Sequence, residues 1–174
     1  MRHDERAEPT RLHRLDHWLY RGGRPNRLAR AINRVWATVF AAGVLQPDRM
    51  VTLQVPGRRT GRVISFPLVV ADHQGERYLV AMLGQNTNWV HNVRAAEGRA
   101  VLRHGRSEAV RLDEVDPGAR APILRRYLAR SPGGRTHIPV DPQAPLEEFE
   151  QIAAQYPVFR ITPDRSASPP GSGR

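Results

Sequence analysis

Cysteine is absent from all 174 residues, which excludes a disulfide framework, zinc fingers, thiolate metal sites and a cysteine nucleophile. Lysine is absent too, so all 27 basic residues are arginine and lysine-centred covalent catalysis is excluded. Aromatic residues make up only 6% of the chain, too few for the stacking platforms of single-strand nucleic-acid binders. No recognition-helix motif is visible either. No apolar run reaches the roughly 18–20 residues of a membrane-spanning helix. The longest, Val35 to Leu45, is too short and follows a basic segment, unlike the layout of a signal peptide. A chain made and kept in the cytoplasm, with no nucleic-acid partner, is the expectation.

What the chain has in excess is guanidinium. Against 17 acidic residues the formal net charge is +10. Arginine stays protonated and grips phosphate or carboxylate in a bidentate fork, so the charge favours anions such as a phosphorylated cofactor or an anionic lipid. Arginine is spread along the whole chain, however, which also fits general solubility or a GC-rich genome. The length suits a single domain.

The chain opens on helical patterning. Arg11 to Tyr20 reads as a helix broken by Arg21-Gly22-Gly23-Arg24-Pro25-Asn26. From Arg27 to Gly43, Leu28, Ile32, Val35, Trp36, Val39 and Phe40 recur at helical spacing. That basic amphipathic helix fits either a cover for the protein's own core or a peripheral contact with an anionic membrane.

Beyond Gln46-Pro47-Asp48 the pattern becomes that of strands: Met50 to Val55, Arg62 to Ala71 and Arg77 to Leu83, joined by hairpin connections. Asn86-Thr87-Asn88 caps a short helix over Trp89 to Ala96, and strands follow at Arg99 to His104 and Glu108 to Val115. Asp116-Pro117 opens a helix bearing Ile123, Leu124, Tyr127 and Leu128; Pro145 opens another with Leu146, Phe149 and Ile152. A last strand, Val158 to Thr162, precedes a Pro/Ser/Gly-rich tail from Asp164 that should be disordered. The order predicts an α+β fold, an antiparallel six-stranded barrel with flanking helices. A parallel Rossmann sheet is excluded, because the first three strands lack crossover helices. The boundaries are an N-terminal extension over 1–25, the barrel domain over 26–163 and a tail over 164–174.

Two stretches carry candidate chemistry. Gly57-Arg58-Arg59-Thr60-Gly61-Arg62 places three guanidiniums and a hydroxyl in one small volume, suited to a phosphate or several carboxylates. It lacks the glycine spacing and lysine of a P-loop, and a solvated hairpin tip fits it equally. Asn88-Trp89-Val90-His91-Asn92-Val93-Arg94 offers a helix N-terminus with free N–H groups. Trp89 there either stacks on a flat ring or belongs to the core. His13 and His17 have the i, i+4 spacing of metal ligands, but no third ligand accompanies them. No Gly-x-Ser-x-Gly elbow and no glycosidase carboxylate pair occurs.

Taken together, Leu53 to Arg62, then Phe66-Pro67-Leu68-Val69, then Trp89-Val90-His91-Asn92-Val93-Arg94-Ala95 resemble the deazaflavin-dependent nitroreductase family, also called coenzyme F420-dependent quinone reductases. The similarity runs from roughly Arg27 to Ile161. It implies a split β-barrel of the FMN-binding type and coenzyme F420 held in a groove of the barrel. By the same resemblance Arg58, Arg59, Thr60 and Arg62 meet the coenzyme's phosphate and polyglutamate tail. Pro67, in the Pro-Leu step that follows the turn, counts among the cofactor-binding residues, and Ala81, Met82, Leu83, Gly84, Asn88 and Trp89 meet the ring system. His91 and Asn92 support that loop. After the third strand the chain reads Met82-Leu83-Gly84-Gln85-Asn86-Thr87, without the paired glycines of many relatives. The family's tyrosine-rich acceptor segment has no clear counterpart; Tyr127, Arg135 and His137 lie nearest.

The implied function is transfer of hydride from the reduced coenzyme to a quinone, a nitroaromatic or another electron-poor small molecule, by a monomer or homodimer. No side-chain nucleophile is needed, since the cofactor carries the chemistry. A non-catalytic binder of a deazaflavin or lipophilic ligand, and an FMN-dependent reductase, are the alternatives on the same fold.

Overall fold

The computed structural model describes residues 49–166. The helices expected over 11–20 and 27–43, the His13–His17 pair, the 1–25 extension and the end of the tail lie outside the described residues.

Six antiparallel strands close into a barrel: β1 (Met50–Pro56), β2 (Val63–His73), β3 (Glu76–Val80), β4 (Arg99–His104), β5 (Arg106–Glu114) and β6 (Val158–Pro163). Their order around the barrel is β1-β2-β3-β6-β5-β4. Alternation sets the inside. Val51, Leu53 and Val55 of β1 are buried while their chain neighbours are half-buried, as period-2 patterning demands. They meet Leu102, Val110, Leu112, Phe159 and Ile161 in the barrel interior. The helix α1 (Asn88–Ala95) sends Trp89, Val90 and Val93 into the same interior. Each such side chain contributes about 1.5–3 kcal/mol of burial.

A second core lies outside the sheet. Ala71, Tyr78 and Val80 pack there against Ile123, Leu124, Tyr127 and Leu128 of α2 (Ala121–Arg130) and Phe149 of α3 (Leu146–Ile152). Arg126 of α2 and Arg49 both hold Asp72 at the end of β2, fixing the helix to the strand. These two guanidiniums outweigh desolvation and lower the Asp72 carboxyl to about 2.

Three boundaries differ from the sequence expectation. The third strand stops at Val80 rather than Leu83, because its partner β6 begins at Val158 and Pro157 before it has no N–H for the ladder. Ala81 N–H still reaches the Pro157 carbonyl at 2.9 Å, and Ala81 to Gly84 then turn, Gly84 N–H bonding Ala81 O at 2.9 Å with φ +83°. The helix expected from Asp116 is divided: a 3-10 turn spans Pro117–Ala119 and α2 starts at Ala121. Pro122 explains the break, since a continuous helix would need its N–H and would press its ring on the Gly118 carbonyl. The cap of α1 is Thr87, with Asn88 already helical.

Gly98 closes the link from α1 to β4 at φ +80°, where an added Cβ would lie 2.6 Å from the Leu112 carbonyl oxygen. Only glycine fits so close a passage.

Candidate functional site

The β1–β2 connection is a turn locked at its base, Gly57 N–H donating to Arg62 O at 2.7 Å and Gly61 N–H to Gly57 O at 2.8 Å. One helix face is laced to it. The Arg58 backbone N–H donates to Asn92 Oδ1 at 3.2 Å. Its Nη1 donates to the same oxygen at 3.1 Å and to Asn88 Oδ1 at 3.4 Å. Asn88 and Asn92 stand one helical turn apart on α1, so both amides face the turn. Between turn and helix lies a groove of about 350 Å³, walled by Arg58, Arg59 and Thr60, by Asn88 and Asn92, and by Ile64 and Phe66 at its barrel side.

Three observations give the groove an anion's complement. Among the described residues, no carboxylate comes within ion-pair distance of Arg58, Arg59 or Arg62. Asn92 is 1% exposed, and its Nδ2 is the one buried side-chain polar atom among the described residues without a partner. An unmet buried donor of this kind costs about 1–3 kcal/mol. Finally, α1 has no acidic residue in its first turn and no side-chain cap, since Thr87 Oγ1 donates instead to Gly84 O at 3.1 Å. Its leading N–H groups and positive dipole end remain uncompensated. These donors fit the phosphate or carboxylates of an acidic cofactor.

The loop that enters α1 also walls a second pocket, of about 390 Å³. Met82 to Asn86 form one side of it; His137, Gln155 and Tyr156 form the other. Gln85 Nε2 donates to Ala154 O at 2.7 Å and ties the two sides, while the Tyr156 hydroxyl donates to His137 O at 3.1 Å within the second. Leu83 is 61% exposed, the single large hydrophobic side chain so exposed among the described residues. Behind Met82 the buried Tyr127 hydroxyl contacts its sulfur at 3.3 Å, and burial pushes the Tyr127 phenol up. Asn86 borders one pocket and Asn88 the other, so the two sites share a loop.

The expected site residues therefore separate. Arg58, Arg59, Thr60 and Asn88 come together at the groove; Met82, Leu83 and Gly84 come together at the second pocket. Arg62 is exposed at the foot of the turn, where its carbonyl closes the loop. Pro67 is buried within β2 opposite Thr52, and Ala81 is buried in the barrel interior. Trp89 is interior too, its ring tilted 57° against Phe159 at 5.3 Å. Of the residues nearest an acceptor segment, His137 reaches the second pocket, Tyr127 is buried behind it, and Arg135 donates to Leu128 O. Ile64, Gln155 and Tyr156 join the pocket walls without any motif to mark them, and Phe66 joins them from the Phe66-Pro67-Leu68-Val69 run. Ile64 and Phe66 stand two apart on β2 and so share a face, while nothing local marks Gln155 and Tyr156.

No curated protein matches the sequence. Among solved structures, a protein of unknown function from Agrobacterium tumefaciens is 15% identical, with 66% of this chain and 48% of that one covered and a TM-score of 0.49. This chain thus spans about half that protein's length. A conserved hypothetical protein from Mycobacterium tuberculosis is 18% identical, covering 72% and 79% with a TM-score of 0.47. An F420-H2 dependent reductase is likewise 18% identical, covering 66% and 94% with a TM-score of 0.43. The family model described as F420H(2)-dependent quinone reductase matches residues 28–136, a span that holds the arginine turn, the loop after β3 and all of α1. With well over half of its length inside that match, the chain belongs to the F420H(2)-dependent quinone reductase family, whose coenzyme is F420.

Proposed function

We propose that the chain reduces quinones, nitroaromatics or similar electron-poor small molecules, with the acidic end of F420 in the groove and its ring toward the second pocket. The observation that carries this reading is the conjunction, in one groove, of Arg58 and Arg59, which have no carboxylate partner among the described residues, with the orphaned Asn92 Nδ2. When bound, the reduced coenzyme supplies a hydride, so no protein nucleophile is required. The chain's own tasks are to bind, aim and shield. Arg59 and Thr60 hold the anionic end, while Asn92 Nδ2 gains the acceptor it lacks. Gly84 and Gln85, pinned through Ala154 O, set where the ring lies. Met82 and Leu83 give the acceptor an apolar wall, and closing over Leu83 removes water from its exposed surface. His137 is the one imidazole on either pocket wall, placed to hand a ring-nitrogen proton to a reduced acceptor's oxygen.

Fluorescence titration with oxidised F420 tests the reading, followed by turnover of reduced F420 with menadione. Binding in the micromolar range and oxidation of the reduced coenzyme are the expected results. Binding without turnover moves the protein to a carrier role, and preference for FMN moves it to the flavin-using barrels.

A further inference from the structure

Behind the two pockets runs an ion network that lines neither. Glu114, at the end of β5, accepts from Arg94 of α1 through two bonds, Nε to Oε2 at 2.8 Å and Nη2 to Oε1 at 2.7 Å. Its Oε1 also accepts from Arg120 Nη2 at 3.1 Å. Arg120 is 4% exposed and spends its remaining donors on backbone: Nε on Val115 O at 2.8 Å, Nη1 on Ala153 O at 3.3 Å and Tyr156 O at 3.5 Å. One carboxylate thus joins the helix that bears Asn88 and Asn92 to the turn that bears Gln155 and Tyr156. The first pair walls the groove; the second walls the other pocket.

The charges are matched to this duty. Arg94 and then Arg120 pull the Glu114 carboxyl below its ordinary range against its burial. Burial pushes Arg120 down, while Glu114 and Asp116 pull it back up, against the like charge of Arg94. Stability alone is a weak reason for such a network, because apolar replacement of buried ion pairs is often neutral or stabilising. A rigid spacing is a stronger one. A ligand that engages two sites gains affinity only when both are presented at the separation it spans.

We propose that Glu114, Arg94 and Arg120 are positioning residues that hold the groove and the second pocket at one fixed separation. A single ligand with an anionic end and a planar end then reaches both. The proposal rests on the functional reading above, in which F420 is that ligand.

The test compares a probe that spans both sites with one that fills only the groove. Dissociation constants for oxidised F420 (fluorescence) and inorganic pyrophosphate (calorimetry) are measured for wild type, Arg94→Gln and Glu114→Gln, with melting temperatures alongside. F420 binding should weaken about ten- to hundredfold in both variants while pyrophosphate binding stays within about twofold. Arg94→Lys, which keeps the charge but loses the fork, should recover part of the loss. Equal weakening of both probes, or undiminished F420 affinity, overturns the proposal. Should Glu114→Gln fail to fold, Arg94→Gln decides, since it leaves Arg120 paired with Glu114. Wild-type protein that binds pyrophosphate but not F420, or neither, overturns the functional reading, and this proposal with it. Failure confined to the variants bears on positioning alone.

Discussion

Two arginine groups flank α1, and the same side chain does opposite work in them. At Arg58, Arg59 and Arg62 the guanidiniums face solvent or a groove, with no carboxylate near among the described residues. At Arg94 the guanidinium forks onto Glu114, and at Arg120 the donors end on Glu114 or on backbone carbonyls. The first arrangement keeps electrostatic capacity for something that arrives from outside. The second consumes it within the fold. Residue type and net charge therefore say little about which arginines bind ligand; the presence or absence of a compensating oxygen says it.

The comparison is broken most directly by Arg120→Ala. Removing a buried partner leaves Glu114 short of a donor and takes the side-chain donor from three carbonyls, so the fold should lose about 3–5 kcal/mol in denaturant unfolding. Arg59→Ala should leave unfolding unchanged within about 0.5 kcal/mol. Equal costs at the two positions would erase the distinction drawn above.

The mirror-image experiment reads affinity. Arg58→Ala combined with Arg59→Ala should weaken F420 binding by about 1.5–3 kcal/mol for each charge-assisted hydrogen bond removed, seen by fluorescence titration. Arg58→Ala alone should also lower the melting temperature by a small amount, because it unties the turn from Asn88 and Asn92. An unchanged dissociation constant in the double variant would make the turn a mere hairpin tip.

A subtler change converts one group into the other. Asn92→Asp places a carboxylate beside Arg58 Nη1, now 3.1 Å from the amide oxygen, and so gives the turn the internal partner it lacks. F420 affinity should fall while stability holds or rises, read from titration and melting curves. A rise in affinity would show that the groove does not receive an anion.

The smallest effect is one of pH. Asp72, held by Arg126 and Arg49, has a carboxyl lowered to about 2 from 3.8. A carboxyl depressed in the folded state stabilises above its unfolded value and loses that contribution as pH falls through the folded one. Its share of stability should be complete above about pH 4 and fade toward about pH 2. Acid unfolding curves of wild type and Asp72→Asn should converge across that window, whereas Arg59→Ala should keep the wild-type shape.

Most of the barrel was legible because strands and turns are written locally. β1 alternates apolar and polar residues from Met50 to Pro56, and Asp72-His73-Gln74-Gly75 announces its hairpin. The overrun of the third strand came from Ala81-Met82-Leu83, which continue an apolar run while their intended partner strand is cut short by Pro157, 76 residues on from Ala81. Pro122 was present to be read and divides the helix after Asp116. At the site, the clustering of Arg58, Arg59 and Thr60 was a local signal. The second pocket was only half readable: Met82 to Asn86 are contiguous, but Gln155 and Tyr156 reach it from far along the chain, as Gln85 and Ala154 do across 69 positions. The resemblance marks Asn92 as a support for the loop after β3, but its two donors, both on Arg58 of the turn, are seen only in the fold.

Thr87 draws a last consequence. A threonine at that position ordinarily steadies its own helix, a service worth about 1 kcal/mol, yet here its hydroxyl closes the preceding loop on Gly84. The first turn of α1 is thus left frayed at the electrical level though not at the geometrical one, waiting on a guest to complete it. Amide hydrogens at Trp89 and Val90 should accordingly exchange faster in the empty protein than in the loaded one, making the start of this helix a built-in gauge of occupancy.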